Sequence, residues 1–469
     1  MTFSRSSSAR WATAVAVFAL SSGAARGLRA QAPAGADEGD TTSVALEEGV
    51  RAVTLDEAVA TASENSPTLE QARASVSSAE AQTTSALGRY LPNVNFSYGA
   101  SKSSTGHIDA TGQAITNQSY TSQLRSSLTL FDGFQRENNL TSARRETDVQ
   151  RATYDQRRYE AVLSVKTAFF NAVAARDRVR VENARVARQE EQLRYVREQA
   201  RLGQATRSDT LSSRVDLNNA RLALLQAQTD RRSAEFALAQ AMGITDRVQP
   251  AAEATLEPDT LGVGLDQLLS VATRHAPSVR SASLSVGAAT GNVGSAKSSY
   301  WPSLSVSGGL DWRNQEFPPK ARSWSFSFSG SVPIFNGLQR ETSIDRAQAQ
   351  VQIAQAQRRA AELAVRSNVQ AAYDQIRTAL AGMDLADETR VAAQEDLRVN
   401  EQRFRVGVAT SVDLRAAQIA LDQAEVDRIQ RRFDYQVGVA RLESLLGMPL
   451  EQMRTATAND ETNVNGGIR

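Results

Sequence analysis

The chain switches its hydrophobic period in a fixed order, and does so twice. Apolar positions recur at helical spacing up to a proline, then alternate singly with polar positions, then return to helical spacing for a much longer run. After Pro92, Val94, Phe96 and Tyr98 alternate with Asn95, Ser97 and Gly99; after Pro302, Leu304, Val306, Leu310 and Trp312 alternate with Ser305, Ser307, Gly309 and Asp311. Each run has a returning partner. Trp324, Phe326, Phe328 and Val332 alternate with serines, and Tyr120, Leu124, Leu128 and Leu130 give a more dilute version. Strands are therefore expected at about 93–103, 119–130, 303–314 and 323–332.

Each run approaches the roughly 9–11 residues that a tilted membrane strand needs. The plainer reading of any one of them is a solvent-facing sheet packed on a helix. Here the wet face is almost all Ser and Gly, which suits a lumen, and Trp312, Trp324 and Tyr120 lie near the loop ends, where interfacial aromatics belong. Four strands cannot close by themselves, and open edges do not survive in lipid. The chain must then oligomerise. Two copies give eight strands, a barrel filled by side chains, whereas three give twelve and leave room for a pore.

The helical runs set a length. Residues 134–201 and 338–405 contain no proline, and at about 1.5 Å per residue each spans on the order of 100 Å. Apolar residues recur narrowly, at Tyr159, Val162, Phe169 and Val173 and again at Leu363, Val369, Tyr373, Ile376 and Leu380, with Ala between, so the helices are expected side by side in a coiled-coil-like wall. The returning helices, 208–243 and 411–447, are too short to climb back alone. Stretches 67–89 and 277–299 supply close to the deficit, which implies end-to-end stacking, with 244–264 left outside the wall near mid-height.

The two halves are copies of one unit. Leu55 begins a stretch matched from Leu265, an offset of 210 (265 − 55), and "YLP" ending at Pro92 matches "YWP" ending at Pro302. "FDGFQRE" from Phe131 matches "FNGLQRE" from Phe335, now offset by 204 (335 − 131), so one loop is longer in the first copy. The repeats are placed at 54–264 and 265–449, preceded by a linker over 31–53 and followed by a polar tail over 450–469. Ser66 with Pro67 has the form of an N-cap followed by a first-turn proline.

Residues 1–30 carry Arg5 and Arg10, an apolar stretch from Trp11 to Leu20, then small residues before Gln31, and are read as a secretory signal peptide. The chain has no cysteine, which excludes disulfides and thiolate metal sites. Its 53 basic and 52 acidic residues are interleaved, so no nucleic-acid partner is indicated. No later stretch is apolar enough for a membrane helix, so any membrane crossing must use strands.

Two short stretches break the long helices alike: "RLGQATRSD" (201–209) and "RVGVATSVD" (405–413). Gly203 and Gly407 fit a left-handed helix terminus, and Thr206 with Asp209, like Thr410 with Asp413, fits a capping box that starts the next helix. Both are hairpin tips on this reading, whatever else they do.

The twofold repeat, the "YLP"/"YWP" and "FDG"/"FNG" boundaries and the "VG…T..D" turn make the sequence resemble a TolC-type outer-membrane efflux protein, over about Leu55 to Met448. The resemblance implies a mainly α fold with membrane β: a trimeric 12-stranded β-barrel, four strands per chain, continuing into a long periplasmic α-helical barrel. It implies an exit duct in the outer membrane with a large periplasmic portion, within a tripartite efflux or type I secretion system. Partners would be outer-membrane lipid, a periplasmic adaptor (membrane fusion) protein and an inner-membrane RND, ABC or MFS transporter. Adaptor helices would dock on Leu202, Gly203, Gln204, Ala205 and Thr206 and on Val406, Gly407, Val408, Ala409 and Thr410.

Asp413 matches the first of two aspartates that ring the pore entrance in such proteins, with Asp209 its counterpart in the first copy. The second family aspartate is replaced by Ala416 and a gate arginine by Ala409, so only a single ring is available here. Three Asp413 carboxylates near an axis would attract cations. His107, assigned to a loop over 103–117, and His275 lack metal-site spacing, and no P-loop, dinucleotide turn or nucleophile elbow occurs, so neither a cofactor nor an enzymatic activity is expected. The rival reading is a secreted coiled-coil scaffold or adhesin, which explains the helices but not strand pairs at equivalent places in both copies.

Overall fold

The computed structural model describes residues 50–108, 114–256, 262–450 and 452. The expected signal peptide and nearly all of the linker and tail lie outside them. A short strand β1 (Arg51–Val53) precedes the first repeat, which contains α1 (Leu55–Asn65), α2 (Pro67–Gly88), β2 (Asn93–Ile108), β3 (Ala114–Phe131), α3 (Gln135–Arg201), α4 (Arg207–Met242) and β4 (Val248–Pro250). The second contains α5 (Leu265–His275), α6 (Pro277–Lys297), β5 (Ser303–Asn314), β6 (Ala321–Ser331), α7 (Gln339–Arg405) and α8 (Ser411–Leu446).

The β2, β3, β5 and β6 strands form one antiparallel sheet in that order, leaving β2 and β6 as edges. Register aligns the large apolar residues on one face: Phe96, Leu124, Leu310 and Trp324 form one row across all four strands, and Tyr98, Ser122, Trp312 and Arg322 another. The opposite face carries Ser305 against Ser329 and Ser307 against Ser327, hydroxyl to hydroxyl at 2.8 and 3.0 Å. Trp324 is 76% exposed, because nothing among the described residues covers the apolar face.

The long helices run 67 residues each, about 100 Å at the usual rise. Near the sheet, α3 lies between α2 and α6, with α7 beyond α6; farther away it lies between α4 and α8, with α7 beyond α8. Thus α2 gives way to α4 beside α3. Gly243, left-handed at φ +75°, ends α4 against the α1–α2 corner, where an added Cβ would stand 2.4 Å from the Asn65 carbonyl oxygen. Gly447 ends α8 against Pro277 in the same way, at 2.8 Å. These paired ends carry the stacking inferred from helix lengths. Two apolar cores sit at this level, one around Phe169, Val173 and Leu238, the other around Val369, Ile376, Tyr435 and Leu442. Burial of each such side chain stabilises by about 1.5–3 kcal/mol.

Four details depart from expectation. The 31–53 stretch is not all linker, since Arg51–Val53 pairs in parallel with Val248–Pro250 and buries Val53 and Val248. The segment outside the wall is therefore anchored, and Arg176 of α3 adds hydrogen bonds to the carbonyls of Ala251 and Ala254, at 3.1 and 2.7 Å. Ser66 occupies the N-cap position but makes no side-chain cap bond; its hydroxyl meets that of Thr68 at 2.9 Å. His107 lies in strand rather than loop, because β2 continues to Ile108 and β3 starts at Ala114. Leu363 is exposed on α7, unlike Val369 and Ile376, because α7 is the outermost helix of the wall and its far side has no neighbour among the described residues.

Both corners between sheet and long helix are built alike. Gly133 and Phe134, and likewise Gly337 and Leu338, take successive left-handed conformations that turn the chain into α3 and α7. Arg136 then donates back to the carbonyls of Thr129 and Leu130, and Arg340 to those of Pro333 and Ile334.

Candidate functional site at the hairpin tips

The two tips are the ends of coiled hairpins. At Arg201 the helix stops: Leu202 N–H still bonds to Glu198 O, Gly203 turns left-handed at φ +73°, and Gln204 N–H closes onto Gln199 O at 2.9 Å. Gly407 does the same at φ +76°, with Val408 N–H on Arg403 O at 2.8 Å. A Cβ at either glycine would meet nothing within 4 Å, so glycine is required by the turn and not by crowding.

Each following helix opens on a full capping box. Thr206 N–H and Oγ1 both donate to Asp209 Oδ2, at 2.9 and 2.7 Å, while Asp209 N–H donates to Thr206 Oγ1 at 3.2 Å. Thr410 and Asp413 repeat this at 2.9, 2.8 and 3.2 Å. The Thr206 hydroxyl, then its backbone N–H, holds the Asp209 carboxyl below the usual carboxylate range. For Asp413 the Thr410 backbone N–H leads, followed by the hydroxyl and the charge of Arg403. Both aspartates are therefore ionised at neutral pH and both use Oδ2 in the cap.

The tips differ in surface. Val406, Val408 and Val412 expose their side chains around the second, with Val406 74% exposed, whereas the first presents Leu202 and Gln204. Ala205 and Ala409 are half-buried under the turns, and Asp413 and Ala416 are exposed.

The structure also joins the two hairpins, through residues that sequence reasoning did not single out. Arg415 of α8 donates to Asp216 Oδ2 and Ser212 Oγ of α4, at 2.6 and 2.8 Å. Deeper along the α3–α8 seam, Gln189 bonds the buried Gln418 at 2.9 Å, Arg188 pairs with Asp422, and Lys166 with Glu443 at 2.5 Å. Tyr195 packs its ring 5.8 Å from that of Phe404. Within the second hairpin an apolar cluster of Leu397, Leu414, Ala417 and Leu421 lies near the tip, and farther along Arg428 and Arg432 of α8 both pair with Asp387 of α7.

A sheet of membrane-strand length with one bare apolar face, carried on helices far longer than the sheet is tall, is the architecture of an outer-membrane channel protein. Among the described residues no helix is apolar enough to cross a membrane. Residues 58–244 and 268–448 match the outer membrane efflux protein family, one segment per repeat, and the chain belongs to that family. It is 30% identical over 369 residues to protein CyaE of Bordetella pertussis, covering 76% of this chain and 75% of that one. It is 26% identical over 385 residues to the outer membrane efflux protein BepC of Brucella suis, covering 80% and 82%. Among solved structures, the Campylobacter jejuni CmeC outer membrane channel superposes with a TM-score of 0.70 at 17% identity, over 84% of this chain and 85% of that one. The open Neisseria gonorrhoeae MtrE channel gives 0.71 at 21%, over 84% and 89%. The protein is an outer-membrane efflux channel with a large periplasmic helical portion. A secreted scaffold is thereby set aside.

Proposed function

We propose that three copies close into a duct and that this duct is the outer-membrane exit of a tripartite efflux or type I secretion system. The observation that carries the reading is the pair of unsatisfied edges. A four-stranded sheet ends in unpaired β2 and β6, and open edges are not tolerated in lipid. The helical wall is unfinished on the same two sides. On α4, Leu211, Val215, Leu222, Leu225 and Phe236 make an exposed stripe at heptad spacing, and on α7 Ile353, Leu363 and Leu385 share another. Joining β6 of one copy to β2 of the next, and α7 to α4, covers both.

The tips then form the periplasmic mouth, where the helical hairpins of an adaptor dock on 202–206 and 406–410, linking the duct to an inner-membrane RND, ABC or MFS transporter. On this reading Asp413 and Asp209 lie at the pore entrance. The test is electrical and hydrodynamic: the purified protein has the mass of a trimer and conducts across a planar bilayer. A monomer, or a trimer that does not conduct, overturns the reading.

A further inference from the structure

The apolar face of the sheet is full in most rows and hollow in one. Val94, Ser126, Gly308 and Phe326 lie side by side across the four strands, so the two inner positions of that row carry only a hydroxymethyl group and a hydrogen. The neighbouring rows are bulky, with Leu124, Leu310 and Trp324 on one side and Leu128, Val306 and Phe328 on the other. The result is an apolar hollow of about 610 Å³ over Gly308, walled by Val94, Leu124, Leu310, Trp324 and Phe326.

Farther from the helices, the same face turns cationic. Arg322 stands opposite Trp312 on β6, and Lys102 shares the face on β2; both are exposed, and neither has an ion pair among the described residues. Arg322 precedes Phe326 by four positions (326 − 322), which is about 13 Å along the strand, less than the roughly 15 Å depth of one leaflet's hydrocarbon. A headgroup at Arg322 therefore has its chain beside the hollow. Anionic headgroups are what bare cations at a membrane surface select.

We propose that the hollow over Gly308 seats an acyl chain of a phosphate-bearing lipid in the outer leaflet, with Arg322 and Lys102 holding its headgroup. This rests on the trimeric barrel reading, which puts the helix-distal end of the sheet at the outer surface. In that barrel β6 of one copy adjoins β2 of the next, and the proposal sets Arg322 beside the neighbour's Lys102 on the rim. A lipid held there bridges two copies.

Native mass spectrometry of the full-length assembly tests this, after incubation with bisphosphorylated lipid A, with the same lipid stripped of phosphate, or with inorganic phosphate. The wild type is expected to retain the phosphorylated lipid preferentially. Gly308→Leu fills the hollow without disturbing the sheet, since a Cβ there comes no nearer than 3.6 Å to the Ser325 carbonyl oxygen. It should lower retention of both lipids, and Lys102→Ala with Arg322→Ala should abolish the preference for phosphate, each by about tenfold, as for losing a charged hydrogen bond or a few buried methylenes. Equal retention by wild type and variants, or retention of inorganic phosphate with no lipid, overturns the proposal. The same spectra report subunit number. A monomer sinks the barrel reading and this site with it, whereas an intact trimer that holds lipid without discrimination sinks this site alone.

Discussion

Arg136 places its guanidinium 5.0 Å from the centre of the Tyr90 ring while donating to the carbonyls of Thr129 and Leu130, at 2.8 and 3.0 Å. Arg340 makes the equivalent set with Tyr300, at 4.7 Å, and with Pro333 and Ile334. The tyrosine that opens one repeated motif and the arginine of the next are thus parts of one joint, which fixes the corner where sheet becomes helix. The joints are unequal: Arg136 also pairs with Asp132 at 3.0 Å, both side chains mostly buried, where the second copy has Asn336.

Replacing these arginines should therefore cost unequal amounts. Arg136→Ala strands a carboxylate and two carbonyls, and is expected to lower stability by about 2–4 kcal/mol, against about 1–2 for Arg340→Ala. Lysine should rescue little, because an ammonium cannot fork to two carbonyls and stack as well. Thermal unfolding followed by circular dichroism in detergent gives the order. Equal midpoints for the two alanine variants would refute the inequality.

Among the described residues, the four left-handed helix-ending glycines divide into two kinds. At Gly203 and Gly407 a Cβ has open space, so alanine costs only the backbone strain of about 1–2 kcal/mol. At Gly243 and Gly447 the same strain is joined by overlap with Asn65 and with Pro277. Gly243→Ala and Gly447→Ala should thus reduce the amount of folded protein in the outer membrane well below that of Gly203→Ala or Gly407→Ala. At the tips, a bulky residue should instead leave membrane levels intact and abolish export, with loss of cross-linking to an adaptor. Unchanged cross-linking would count against tip docking.

Much of this was legible because it repeats and because it is local. Helix ends at Gly203 and Gly407, capping pairs at Thr206 and Thr410, and strand faces around Phe96 and Trp324 all follow from residues within a few positions of one another. What stayed hidden was either too short or too distant. Three residues, Arg51–Val53, cannot display a period, and their partner Val248–Pro250 lies nearly a whole repeat away. Past Ser103 the first strand pair runs on through Ser, Thr and Gly without apolar alternation, so its length could not be read. Arg415 finds Asp216 only because α8 and α4 both flank α3. Nothing local marks Arg415 among so many solvated charges.

The caps carry a pH signature whose sign is fixed. The Asp209 and Asp413 carboxyls are held below the ordinary 3.8, so their capping contribution is present at neutral pH and is lost as pH falls through the lowered folded-state value. Amide protection at Thr206, Asp209, Thr410 and Asp413, corrected for intrinsic exchange, should be flat from about pH 8 to 5 and should collapse only below the carboxylate range. Loss of protection between about pH 7 and 6 would mean that another group controls the tips.

Asp413 is the residue whose cap does not account for everything it could do. The cap needs an oxygen that accepts from Thr410 N–H and Oγ1, and the side-chain oxygen of asparagine supplies one. Asp413→Asn should consequently keep the turn while removing three charges from a trimer's entrance. In planar bilayers the variant is expected to lose much of its preference for cations, by several-fold in permeability ratio, with the tips folded as before. Asp209→Asn, on the flanking hairpin, should change selectivity less. If Asp413→Asn conducts with unaltered selectivity, the carboxylate belongs to the turn alone, and with Ala409 and Ala416 beside it the entrance has no charged ring from this stretch.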